Sequence, residues 1–326
     1  MMASTLSAEK KRPGLGQLLA TQIEVRMFLL TLAVMLVLSL ISPHFRTVNN
    51  LLNTMDQSVV VGMVALGQMF VILIGGIDLS VGSIAGLSGM VMGLAFPSLG
   101  LAGGIVVCLL IGAFAGLVNG VITMFGRVAP FVVTLGMMSV SRSLTYVVSG
   151  AASISNIPDG LAALSNTSIA GVPLNFILLI LVYLLAWLFL TRAKGGRTLY
   201  AVGSNVEAAR AAGLSIALWS VLAYVIAGVM SAVSAIFLAS RVLSIDPLSG
   251  TGLEMDAIAG VVIGGSSMFG GRGSMIGTLF GVFIMVFIRN GLNLLGVNPY
   301  WQGTAIGSII VAAVLLERIA SSRTRN

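Results

Sequence analysis

"VILIGGIDLSVGSIAG", residues 71–86, decides how this chain folds. On either side run apolar stretches, 58–74 and 81–97, whose only charged residue within the whole of 58–97 is Asp78. Each is nearly long enough to cross a bilayer core, which takes about 20 residues of helix. An ionised carboxylate at the centre of a lone membrane helix costs about 2.5–3.5 kcal/mol, so Asp78 has to escape lipid. Gly75-Gly76 allow the helix to break, and Ser80 and Ser83 can bond the backbone groups that the break frees. Two roles for Asp78 follow. It either caps the next helix, where a carboxylate meets unsatisfied N–H groups and the positive end of the dipole, or it lines a solute path or touches a partner.

The rest of the chain has the same character. Of 326 residues, 57% are hydrophobic and only 8% charged, with a mean hydropathy of +1.08. Soluble domains carry roughly 25% charge, so this is an all-α integral membrane protein. Apolar runs place spans near 25–41, 58–74, 81–97, 100–125, 130–150, 174–191, 216–239, 252–269, 274–295 and 302–317. That makes about ten transmembrane helices in a permease domain over 25–319, with short tails at 1–24 and 320–326. The run after Lys10, Lys11 and Arg12 is read as an uncleaved first helix, since no small-residue cleavage site follows it.

With the N-terminus inside, Arg127, the group Arg192/Lys194/Arg197/Arg210, Arg272 and the basic tail fall on one side, as the positive-inside rule requires. Both termini are then cytoplasmic. Arg142 and Arg289 fall within spans and have to face protein or water. The net charge of +7 is scattered between apolar runs and has no interleaved aromatics, which argues against nucleic acid as a partner and for membrane lipid.

Many of the 40 glycines recur at every fourth position: Gly112/Gly116/Gly120, Gly82/Gly86, Gly260/Gly264 and Gly277/Gly281. Helices in lipid associate through packing, and small residues at this spacing let backbones approach, so these are expected to be seams of a compact bundle. A weak internal repeat accompanies them. "VILIGG" (71–76) parallels "GVVIGG" (260–265), and Gly82-Ser83-x-x-Gly86 parallels Gly273-Ser274-x-x-Gly277. Repeated halves with interrupted helices are a transporter device.

Catalysis finds little support. The sole histidine, His44, lies at the end of the first span, and the lysines, Lys10, Lys11 and Lys194, all lie at the membrane margin. No base is therefore placed beside a membrane-embedded serine. Neither a nucleotide-cradling loop nor a zinc-protease motif is present, and Cys108 stands alone. No catalytic residue and no metal ligand is assigned. Asp56, Asp78, Glu254 and Asp256 are the carboxylates that could still converge.

The longest polar connection, 192–215, contains a helix where no span belongs. Ser204 can cap it with Glu207 completing a capping box, Ala208 and Ala209 favour helix, Arg210 follows, and Gly213 can end it. Two isolated turns are marginal in water and need a partner surface. Either this is a connector lying on lipid headgroups or it is a peg for a cytoplasmic protein.

Glu207-Ala208-Ala209 with Gly213 four residues later resembles the E-A-A-x-x-x-G coupling loop of permeases of ATP-binding-cassette (ABC) importers. "GGIDLSVGS" (75–83), "AVGSNVEAARAAGLS" (201–215), "MDAIAGVVIGGSSMFGGRGS" (255–274) and "NGLNLLGVNPYWQG" (290–303) are similar, in this order, to the permeases for ribose, xylose and arabinose. Met255 and Gly260 stand where that family often has leucine and alanine, which weakens inference of a particular sugar. The resemblance implies import of a monosaccharide or related polyol across the bacterial inner membrane. It also implies a separate ABC ATPase that binds ATP and Mg, an extracytoplasmic sugar-binding protein, and a second copy of the chain or a close paralogue. No cofactor is expected in this chain itself.

A sugar is an array of neutral hydroxyls, so Gln68, Asn119, Asn290 and Asn293 are candidate path residues; interhelical hydrogen bonds account for them equally well. Gly75, Gly76, Asp78 and Ser80 are the expected broken-helix element. Other solutes on the same architecture are a nucleoside, a signalling furanose or a branched-chain amino acid. From another class comes an ion-coupled secondary transporter using Asp56 or Asp78.

Overall fold

The computed structural model describes residues 22–298 together with 301–305, 307, 308, 311, 312 and 315. The basic N-terminal tail lies outside the described residues, as does part of the expected tenth span, 302–317. Among the described residues the fold is helical, with one two-stranded hairpin, Ser168–Ile169 against Val172–Pro173. In chain order the helices are α1 (Ile23–Ile41), α2 (Val48–Leu73), α3 (Val81–Phe125), α4 (Pro130–Ser149), α5 (Asp159–Asn166) and α6 (Leu174–Arg192). Then follow α7 (Lys194–Ser204), α8 (Val206–Ala211), α9 (Ile216–Val242), α10 (Leu253–Ile263) and α11 (Met275–Leu294). Among the described residues, 7 helices are long and apolar enough to cross a membrane: α1, α2, α3, α4, α6, α9 and α11.

One of these is two helices. Within the 45-residue α3, Gly100 takes φ 66° and ψ −175°, and the chain doubles back. A Cβ on Gly104 would lie 3.2 Å from the Met92 carbonyl, and Asn119 near one end reaches Asp78 and Ser80 beside the other. The arms match the expected spans 81–97 and 100–125.

Two boundaries depart from expectation. α2 begins at Val48, ten residues before the apolar run: of the polar residues in its first turns, Asn49 and Asn53 are exposed, while Asn50, Asp56 and Gln57 are half-buried against protein. Asn50 and Asn290 exchange amide hydrogen bonds of 3.0 and 2.8 Å across α2 and α11, which makes that polar sequence compatible with a helical bundle. The run 252–269, in contrast, yields only the 11-residue α10. At 1.5 Å per residue it is about 16 Å long, roughly half a bilayer core. Gly265, at φ 85°, stops it.

The glycine seams close as expected. Along α3 and α9, a Cβ on Gly112 or Gly116 would fall 2.3 Å from the Gly228 carbonyl or 2.2 Å from the Tyr224 carbonyl, and one on Gly120 would lie 2.8 Å from the Val221 Cα. Gly260 of α10 and Gly264 at its C-terminal end meet Gly281 and Gly277 of α11 in the same way, and Gly82 and Gly86 abut Ser249, Gly250 and Glu254 around the start of α10. At the centre stands α2, most of whose length is buried, walled by α9, α10 and α11.

Candidate functional site

Two helix ends come together on one face of the bundle. α2 closes with the Gly75 N–H on the Ile72 carbonyl (2.9 Å) and the Gly76 N–H on the Val71 carbonyl (3.0 Å). α10 closes identically, with Gly265 on Val262 (2.9 Å) and Ser266 on Val261 (3.2 Å). Both are C-terminal reversals through a left-handed glycine, Gly75 at φ 79° and Gly265 at φ 85°. The internal repeat therefore corresponds to a repeated turn, displaced by one residue from the sequence match: Gly75 pairs with Gly265. The second proposed match does not hold, since Ser83 lies within α3 whereas Ser274 is the N-cap of α11, its hydroxyl accepting from the Gly277 N–H. The joint after the first reversal is shorter than that after the second, and this shifts the register.

Asp78 hangs from the first reversal, fully buried. Its Oδ1 accepts from the Ser80 N–H (2.8 Å) and the Ser80 hydroxyl (2.5 Å), and its Oδ2 accepts from the Asn119 amide (3.4 Å). Asn119 also donates to the Ser80 hydroxyl at 2.9 Å. In the orientation that satisfies both amide atoms, Gln68 donates to the Asp78 carbonyl and accepts from the Asp78 N–H, each at 3.1 Å. Asp78 thus holds the N–H of Ser80, the residue that precedes α3, without reaching the first-turn N–H groups of the helix. The carboxylate, Gln68, Ser80 and Asn119 form one closed polar knot tying α2 to both arms of α3.

α7 lies across the two reversals. The Gly271 N–H donates to the Leu73 carbonyl at 2.9 Å, joining one reversal to the loop after the other. Gly203 sits against that bond: a Cβ there would stand 1.7 Å from the Leu73 oxygen and 2.5 Å from the Gly271 nitrogen. Tyr200 donates its hydroxyl to the Gly273 carbonyl at 2.9 Å, and Ser204 donates to the Tyr200 carbonyl at 2.8 Å.

From this platform projects α8. Its cap is Asn205, whose side chain accepts from the Ala208 N–H at 2.9 Å; Ser204 instead ends α7, so the expected Ser204–Glu207 capping box is not formed. Glu207 pairs with Arg210 at 2.7 Å, both side chains well exposed. Gly213 ends the knob at φ 72°, its N–H on the Arg210 carbonyl and that of Leu214 on Ala209. Of residues 205–213 only Ala209 is buried.

At the opposite end of α2, α9, α10 and α11 lies a cavity of about 230 Å³. Its polar lining comes from Gln57, Arg241, Asp256, Arg289 and Asn293, and its apolar lining includes Val60, Val61, Leu238 and Met285. Arg289 bonds Asp256 at 2.8 Å, from α11 to the first turns of α10. Of the four amides proposed for a path, Asn293 lines this cavity and accepts from Gln302 at 2.6 Å. Asn290 is engaged with Asn50, and Gln68 and Asn119 belong to the knot. Asp256 and Arg289 were each conspicuous as charges in apolar sequence, but nothing in their spacing announced that they pair.

A glycine-seamed helical bundle with half-length and reversed helices at its centre and a solvent-exposed knob at one end is the build of a transport permease. The chain belongs to the family described as the permease component of the branched-chain amino acid transport system, which matches residues 50–314. It is 37% identical to the ribose import permease protein RbsC of Bacillus subtilis, over 90% of this chain and 92% of that one. The D-allose transport system permease protein AlsC of Escherichia coli K12 is 35% identical over 90% and 91%. An autoinducer 2 import system permease protein, LsrC of Photorhabdus laumondii, is 32% identical over 86% and 84%. No solved structure matches the chain.

Proposed function

We propose that this chain is the membrane permease subunit of an ATP-driven importer for a monosaccharide or related polyol in a bacterial inner membrane. The observation that carries this reading is its similarity, over nine-tenths of the chain, to permeases named for ribose and allose. The exposed α8 knob supports it, because a six-residue helix held out in solvent is too short to be stable alone and is suited to a socket. In this reading both termini and the knob lie in the cytoplasm, the half-length α10 and the loop before it together making one of ten crossings. A separate ATPase binds ATP and Mg and receives α8, an external binding protein delivers the sugar, and a second copy of the chain completes the importer.

Nucleotide-driven closure of the ATPases moves α8 and with it α7, which presses through Gly203 on the Leu73–Gly271 bond. The two reversals then shift together, so that α2 and α10 bias the bundle between outward and inward openings. The chain itself performs no catalysis.

Reconstitution with the ATPase and binding protein encoded beside it tests this, using labelled ribose, allose, sugar alcohols, a nucleoside and branched-chain amino acids. ATP-dependent uptake of a sugar or polyol is expected. Uptake driven by an ion gradient without the ATPase, or confined to the amino acids, would overturn it.

A further inference from the structure

We infer that the cavity opposite the knob is a binding site within the permease for one small, uncharged, hydroxylated solute, with the Asp256–Arg289 pair as its recognition group. This rests on the sugar-import reading and deepens it. Asp256 is only 3% exposed yet lines open space, a costly placement for a carboxylate unless its oxygens are bonded. An arginine carries five donors and a carboxylate about four acceptor positions, so the single 2.8 Å bond between them leaves most of that capacity for a guest. A hydroxyl both donates and accepts, and two neighbouring hydroxyls can join the pair without opening it. The ionised groups of an amino acid would have to compete with the bond itself.

The remaining lining fits the same chemistry. The amides of Gln57 and Asn293 offer both donors and acceptors, while Val60 and Leu238 supply an apolar wall for C–H faces. Arg241, the second cation, has Asp56 as its electrostatic counterpart, so the site holds no strong excess of either sign. Ligand pockets commonly run from about 300 Å³ upward, so a cavity of about 230 Å³ admits a single sugar ring and excludes an oligosaccharide.

The test uses Leu253→Cys, an apolar lining position outside the recognition groups, in the complete importer. The chain's own cysteine, Cys108, is fully buried and stays silent to a small charged methanethiosulfonate. Labelling of the permease–ATPase complex is timed with and without D-ribose or D-allose. About tenfold slowing by an imported sugar, equivalent to ~1.4 kcal/mol, is expected, with none from L-valine. Asp256→Asn and Arg289→Gln, placed in the same background, should abolish that protection. The exchanged pair D256R/R289D should recover the melting temperature lost by the single variants but not the protection, which separates recognition from a merely structural ion pair. Unprotected labelling in an importer that still takes up sugar would overturn the site alone, as would protection that survives both single variants. Failure of the unaltered importer to take up any sugar or polyol would overturn the parent reading, and the site with it.

Discussion

Asp78 looks at first like a charge awaiting a substrate, but its neighbours occupy it. Three hydrogen bonds converge on its two oxygens from Ser80 and Asn119. Asparagine keeps one acceptor for Ser80, and the Asn119 carbonyl oxygen, which has no hydrogen-bond partner, can turn to meet the new amide. Leucine leaves the Ser80 N–H and hydroxyl without their acceptor, at about 1–3 kcal/mol for each buried unsatisfied group. Asp78→Asn is therefore expected to melt within a few degrees of the parent in detergent and to keep most uptake, whereas Asp78→Leu melts far lower. Equal damage from both would give the charge itself a role. Gly203 is subject to a sharper constraint. Even alanine there collides with the Leu73 carbonyl and forces α7 off the reversal. Gly203→Ala is expected to insert and to bind the ATPase, yet to hydrolyse ATP without moving solute, read as the ratio of uptake to phosphate released.

Among the elements, α8 shows how a helix is recognisable before its details are. Glycine at the end and alanines within were plain in the sequence, but Ser204 and Asn205 are both good caps, and tertiary contact chose between them: Ser204 is engaged by α7 and Gly271. Asn205→Ala is expected to cost about 0.5–2 kcal/mol of local stability. The exposed Glu207–Arg210 pair contributes about 1 kcal/mol at most. Glu207→Arg should therefore leave the melting temperature nearly unchanged while abolishing ATPase association, measured by co-purification. α10 was misjudged in length for a related reason. Apolar sequence continues past Gly265, and only the positive φ of that glycine reveals where the helix stops. At the far end, the 243–252 loop is latched to 150–157 by an Ile154–Ile245 bridge and a 2.6 Å bond from the Ser153 hydroxyl to Asp246. That bond, with one from the Leu248 N–H, holds the Asp246 carboxyl below its ordinary value of 3.8. A depressed value means the latch is fully present above the ordinary carboxylate pKa and is lost as pH falls through the folded one. Amide exchange in 150–157, corrected for intrinsic rates, should therefore speed up on acidification below about pH 4, and Asp246→Asn should flatten that dependence.

For the whole molecule, what was legible was what lipid imposes: the spans, the break at Gly75-Gly76 and the small-residue seams. Backbones can approach only where side chains are absent, so Gly112, Gly116 and Gly120 announced a tight helix seam in advance, though not that α9 would fill it. Pairings across the bundle, such as Arg289 with Asp256 or Asn50 with Asn290, depend on which helices become neighbours, and no local periodicity encodes that. Gly116→Leu, set against the Tyr224 backbone, is expected to prevent assembly, seen as aggregation on size-exclusion chromatography, whereas Gly136→Leu, with open space around it, should run as the parent does. The central position of α2 also bears on biogenesis. Its apolar window is 89% buried, against 6% for α1, and its opening turns carry Asn50, Asn53 and Asp56. The partners that shelter it, α9 and α11, emerge from the ribosome more than 140 residues later. Until then α2 is a poor guest in bare lipid, so nascent chains halted after α3 should linger beside the insertion machinery and be degraded quickly once released, while those extended through α11 escape both fates.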